Sequence, residues 1–244
     1  MQGSANLNLM IKAARRAGKS LVKDFREVEN LQVSTKGPGD FVSKADREAE
    51  RLIKEDLMGA RPTYGWLGEE TGGEDGADPT RRWIVDPLDG TTNFLHGMPH
   101  WAVSIALEHK GEIVSAVVFD AAKDELFWAE KGAGAWCNDK RMRVSGRRNL
   151  HEAVFATGVP FGAKSTLPAT LQDLARLMPA CAGVRRWGAH SFMAKAVRRT
   201  ARLPNCCTAR RAARPKRAPV SGWAACSSSS RAALVRRSAR ANQG

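Results

Sequence analysis

Apolar residues at Leu7, Met10, Ile11, Ala14, Leu21, Val22, Phe25 and Val28 recur at three- and four-residue steps with Lys and Arg between them, which predicts an amphipathic helix over residues 4–29. A short strand is expected at Leu31–Thr35, ended by a Gly37-Pro38-Gly39-Asp40 turn. Ser43 with Asp46 then marks a capped helix start, and Ala45, Ala49, Leu52, Ile53 and Leu57 supply the buried stripe of that helix. After Pro62 the rhythm shortens. Tyr64–Leu67 and Trp83–Val85 are apolar runs that lead into acidic residues, and Trp101–Leu107 with Glu112–Phe119 forms a hairpin around His109-Lys110-Gly111. Glu125–Ala129 adds a strand before Gly132-Ala133-Gly134, and Thr166–Met178 reads as a helix with Pro168 in its first turn. Two helices, a run of strands and a further helix predict a layered α/β (α+β) sandwich and not a regular βαβ alternation.

Composition sharpens this in one place. The chain has 244 residues and 43% hydrophobic positions, enough for a substantial core. It contains no run of eighteen apolar residues, so no membrane span is expected. Met1–Met10 lacks a basic flank leading into an apolar stretch, so a cytoplasmic enzyme is the expectation. Five cysteines without regular spacing argue against a disulfide framework and a zinc knuckle. The net charge is +14, but 26 of the 39 basic and all 25 acidic residues lie between Met1 and His190. Ser191–Gly244 therefore carries 13 basic and no acidic side chains, in an Arg/Ala/Pro/Cys-rich text with a Ser227–Ser230 run. Such a segment has too little apolar surface to offset chain entropy. The expected division is an α+β part over 1–150, the start of a second α/β part over 151–189, and a basic tail over 190–244 without native structure.

The densest chemical signal is Trp83-Ile84-Val85-Asp86-Pro87-Leu88-Asp89-Gly90-Thr91-Thr92-Asn93-Phe94. A buried strand brings Asp86 to its carboxyl end, Pro87 turns the chain out of the sheet, Leu88 leaves a carbonyl free, and Asp89 points back beside Asp86. Two carboxylates and a carbonyl so close in sequence make a hard-oxygen pocket suited to Mg²⁺. Gly90-Thr91-Thr92 offers backbone N–H groups to an anion. Gly68-Glu69-Glu70-Thr71 follows another short strand, so a third carboxylate can converge there. Lys36 to Asp46 offers a lysine, a Gly-Pro turn and the Ser43/Asp46 pair, which alone is no more than a helix cap.

These segments, with Pro99-x-Trp101-Ala102-Val103-Ser104-Ile105, resemble the inositol monophosphatase family of magnesium-dependent, lithium-sensitive phosphatases. Weaker agreement runs through Val184-Arg185-Arg186-Trp187-Gly188, about three quarters of the chain. A haloacid-dehalogenase phosphatase is excluded by the spacing, since it has one residue fewer between the carboxylates. The resemblance implies the fold shared with fructose-1,6-bisphosphatase and a layered αβαβα order. It also implies that Glu69, Asp86 and the Leu88 carbonyl hold one Mg²⁺, and that Asp86 and Asp89 share a second. Thr91, oriented by Asp46, is implied to position or deprotonate the attacking water; Asp89 and the Gly90 and Thr91 amides are implied to bind the substrate phosphate. The implied reaction is direct hydrolysis of inositol 1-phosphate, with sugar phosphates, histidinol phosphate or a 3′-phosphonucleotide as alternative substrates. A homodimer is among the partners the family admits.

The chain departs from the family after Trp187-Gly188. The family continues with an inositol-contacting Glu and a Trp-Asp-x-Ala segment whose Asp completes the second metal site. No Asp or Glu follows Asp173 here. The composition change predicts a reading frame lost near Ala189 and weak turnover by the chain as written. The basic tail also raises a second class of function, non-specific nucleic-acid binding, although Trp223 and Phe192 are its only aromatics. His96 and His100 are expected in a polar loop and not as a zinc pair, Trp101, Trp128 and Trp136 as packing residues, and Cys137 and Cys181 as inert buried thiols.

Overall fold

Two amphipathic helices lie against one face of a mixed sheet in the structure, a computed structural model that describes residues 3–31, 38–156 and 167–185. Helix α1 spans Ala5–Leu31 and α2 spans Pro38–Ala60. Leu31 closes α1, and the rest of the expected 31–35 strand, together with Lys36, lies outside the described residues. The expected turn at Pro38 is corrected: α2 begins there, ahead of the Ser43 start. Proline is favoured in a first helical turn because it lacks only an N–H that has no intrahelical partner.

The sheet runs β2 (Gly72–Glu74), β1 (Tyr64–Gly68), β3 (Asp78–Asp89), β4 (Ala102–His109), β5 (Glu112–Asp120), β6 (Glu125–Glu130), β7 (Gly134–Cys137), β8 (Lys140–Arg141). Only β1 and β3 pair in parallel; the other neighbours are antiparallel. Lys110 and Gly111 both have positive φ (53° and 77°), the tight turn whose twist suits the β4–β5 hairpin. Helix α1 packs on β4 and β5, and α2 on α1 and β3. Leu7, Met10, Leu21, Ile53, Leu57, Trp66, Trp83 and Ile105 are almost fully buried between these layers. Trp101 and Trp128 are core residues as expected, and Trp136 stacks on Trp128 at 5.4 Å.

A second, two-stranded parallel sheet pairs β9 (Val154–Ala156) with β10 (Gly183–Arg185), with helix α4 (Leu167–Leu177) between them in sequence. The layered α/β class is the one expected. The segment after Arg185, with the expected basic tail and the Trp187-Gly188 boundary, lies outside the described residues. Cys137 and Cys181 are half-buried rather than buried, and burial pushes the Cys137 thiol up from its ordinary value. No helix among the described residues is long and apolar enough to cross a membrane.

Candidate active site

Pro87 does not take the chain out of the sheet, contrary to expectation. Strand β3 continues to Asp89, with a bulge: Asp86 pairs with Ser104 and Asp89 with Ala102, so three steps on β3 match two on β4. In a regular strand, residues three apart face opposite sides. The extra residue at Pro87-Leu88, where proline has no N–H for the ladder, puts both carboxylates opposite next-but-one partners and hence on one face.

A short helix, α3 (Thr91–Leu95), starts immediately after. Gly90 precedes it at φ 99°, ψ 32°, a left-handed conformation that glycine adopts without a Cβ penalty. The first intrahelical bond runs from Phe94 N–H to the Gly90 carbonyl (3.0 Å), so the earlier amides of this turn lie ahead of the helical ladder. Phe94 anchors the turn, edge-on to Phe25 of α1 at 5.2 Å and to Trp101 at 5.1 Å. The Thr91 hydroxyl donates to the Leu88 carbonyl at 3.1 Å.

Glu69 arrives from the neighbouring strand. Its N–H donates to the Val85 carbonyl (3.1 Å), extending the β1–β3 pairing by one bond and setting Glu69 beside Asp86. Asp46 comes from the buried face of α2. Burial raises the Asp86 carboxyl to about 9, reinforced by the charges of Glu69 and Asp89 and a hydrogen bond to Glu69. Burial also lifts Asp46 to about 8, with Glu70, Glu69 and Glu50 adding to it, and Asp89 to about 7, with Glu69 adding to it. Glu70 is raised by burial and then by Glu69 and Glu50.

The site thus unites Glu69, Asp86, Asp89 and Asp46, with the Leu88 carbonyl, Gly90 and Thr91 at its edge. Asp46 Oδ1, Asp86 Oδ1 and Asp89 Oδ2 are buried with no hydrogen-bond partner among the described residues. Buried anionic oxygens without partners are costly unless a proton or cation compensates them. Among the described residues, no three His, Cys, Asp or Glu side chains already stand as a finished ligand set; instead, burial and neighbouring charge favour protons on Asp46, Asp86 and Asp89. The donor chemistry fits a hard divalent cation displacing those protons. His96 bonds the Thr92 carbonyl (2.8 Å) and His100 meets the Lys123 ammonium (3.2 Å), so the two imidazoles have separate partners.

Residues 5–197 match the sequence profile of the inositol monophosphatase family. The chain belongs to the inositol monophosphatase family. It is 58% identical over 192 residues to inositol-1-monophosphatase of Rhizobium meliloti, covering 79% of this chain and 72% of that one. It is also 40% identical over 182 residues to the Nus factor SuhB of Escherichia coli K12, covering 75% and 68%. Among solved structures, extragenic suppressor protein suhB from Bartonella henselae superposes with a TM-score of 0.71 at 50% identity, covering 80% of this chain and 75% of that one. The Thermotoga maritima IMPase gives 0.65 at 31% identity, over 82% and 74%. Like its family, the chain is a phosphatase.

Sequence reasoning missed Glu50. It is 1% exposed, one helical turn from Asp46, and its carboxylate takes the Glu70 and Thr71 N–H groups at 2.8 and 3.0 Å. The signal was present, since a charged residue at position 50 stands among the apolar positions Ala49, Ile53 and Leu57.

Proposed function

We propose that the chain is a magnesium-dependent phosphomonoesterase whose lead substrate is inositol 1-phosphate. The observation that carries this is the convergence of Glu69, Asp86, Asp89 and Asp46, with three buried oxygens that have no partner among the described residues, beside the Gly90-Thr91 amides. Relatives named inositol-1-monophosphatase support the substrate class.

Glu69, Asp86, Asp89 and the Leu88 carbonyl would hold the divalent cations. When bound, these supply Lewis-acid stabilisation of phosphate charge and lower the pKa of a coordinated water. The chain's own residues do the rest. The amides of Gly90 and Thr91 hold the phosphate, and the rigid seat of α3 on Phe94 keeps them aimed without reorganisation. The Thr91 hydroxyl, fixed on Leu88, orients the attacking water, and Asp46 from α2 helps orient Thr91. Attack in line needs no phosphoenzyme. The family's Asp in a Trp-Asp-x-Ala segment has no counterpart after Asp173, so turnover by this chain is weak.

Phosphate release from inositol 1-phosphate, a sugar phosphate, histidinol phosphate and a 3′-phosphonucleotide, with and without Mg²⁺, tests the reading. Metal-dependent release led by inositol 1-phosphate and abolished by Asp86→Asn is expected; an unaffected rate in that variant overturns it. The second reading, nucleic-acid binding, rests on the 13 basic residues of 191–244 and predicts affinity lost at high salt.

A further inference from the structure

We propose that Glu50 is the positioning residue for Glu69: it fixes the Glu69-Glu70-Thr71 turn so that the Glu69 carboxylate stands ready for a divalent cation. This rests on the reading of Glu69 as a cation ligand. Glu50 Oε2 accepts the Glu70 N–H at 2.8 Å, and Oε1 accepts both the Thr71 N–H at 3.0 Å and the Thr71 hydroxyl. That hydroxyl in turn accepts the Trp66 indole N–H at 3.1 Å. Glu69 therefore has both flanking peptide groups tied: its own N–H to Val85 on β3, and the next N–H to Glu50 on α2. Bonds on either side of one α-carbon restrict its φ and ψ, and with them the direction in which the side chain leaves the backbone.

The approach of Glu50 depends on Gly68. A Cβ there would lie 2.6 Å from the Glu50 carboxyl carbon and 2.7 Å from Trp66 Nε1, closer than real contacts allow. The same helix thus sends two carboxylates to the site for different ends. Asp46 faces Glu69 and Glu70 side chain to side chain, whereas Glu50 spends its oxygens on backbone and hydroxyl donors. Glu50 touches neither substrate nor reacting atoms in this arrangement, and its effect passes through Glu69.

The test is Mg²⁺ titration calorimetry on the full chain, with Glu50→Gln, Glu69→Gln and the double variant, each checked by near-UV circular dichroism. A glutamine presents an NH₂ where one of the acceptors stood, so one backbone donor faces a donor. Glu50→Gln is expected to weaken Mg²⁺ binding roughly 10–100-fold, the range for partners that orient a metal ligand. In the Glu69→Gln background the same change is expected to add less than about twofold, since coupled residues are non-additive. In assays at saturating Mg²⁺, KM for inositol 1-phosphate stays within about twofold while the half-saturating Mg²⁺ concentration rises in step with the calorimetric loss. Unchanged affinity in a folded Glu50→Gln chain overturns the inference, as does an equal loss with and without Glu69. No uptake by the parent chain overturns the reading of Glu69 itself. If Glu50→Gln loses its native near-UV signal, Thr71→Val decides instead. It removes one donor of the three, and a loss of about twofold to tenfold in Mg²⁺ affinity is expected; no change overturns the inference.

Discussion

The Thr91 hydroxyl donates a hydrogen bond to the carbonyl of Leu88 at 3.1 Å, across the junction where the bulged strand becomes helix α3. The side chain assigned to the attacking water is therefore tied to the carbonyl assigned to the cation. Replacing Thr91 by Val removes the hydroxyl at nearly constant volume. Turnover is expected to fall about 100-fold, since misplacing a reacting group costs on the order of 10²-fold, while stability falls by only about 1 kcal/mol. Thr91→Ser, which keeps the hydroxyl, is expected to retain most activity. Phosphate release and urea denaturation check both halves.

The acids of the site make stability depend on pH in an unusual direction. Asp46, Asp86 and Asp89 hold protons up to about 8, 9 and 7, against an ordinary value of 3.8. Between those limits the native state binds more protons than the unfolded chain, so stability falls as pH rises. The contribution is complete below about pH 4 and is lost as pH climbs through 7 to 9. Urea midpoints in EDTA are expected to be lower at pH 9 than at pH 6, with Mg²⁺ reversing the loss. A midpoint that rises with pH in EDTA contradicts the assignment.

Phe94 joins the core to the site. It is fully buried between Phe25 and Trp101, and α3 has only five residues. Phe94→Ala is expected to cost about 3–5 kcal/mol and to raise KM for the phosphate substrate by freeing Gly90 and Thr91. Phe94→Leu, which keeps most of the volume, is expected to cost less in both. Denaturation curves and initial rates measure the two effects together.

Much of this site was legible in the chain because its parts are local. The Asp86-to-Thr91 run and Gly68-Glu69 each follow an apolar strand, and the parallel pairing of β1 with β3 brings them together. The bulge at Pro87-Leu88 was not legible, because register depends on a partner, Ser104 and Ala102, distant in sequence. The start of α2 at Pro38 was misread because Gly-Pro-Gly-Asp has turn chemistry, yet proline serves a first helical turn equally well. Glu50 was overlooked because helical periodicity treats a charged residue on the apolar face as an interruption. Its partners, Glu70 and Thr71, come from another element.

The basic tail makes a prediction at the level of the gene. The family match ends at residue 197, and no acidic residue follows Asp173. Translating the coding sequence in the other frames beyond codon 189 is expected to reveal an apolar strand and a Trp-Asp-x-Ala segment. A chain restored to that frame is expected to release phosphate at least tenfold faster, because a metal carboxylate is regained. Absence of such a segment in every frame refutes the frame-loss account.

Mg²⁺ titration into the folded full-length chain and into its Asp86→Asn variant tests the central claim most directly. Saturable uptake by the parent, accompanied by proton release and weakened at least 100-fold in the variant, is the result the clustered carboxylates predict. Absence of uptake by the parent, or equal uptake by both, contradicts it.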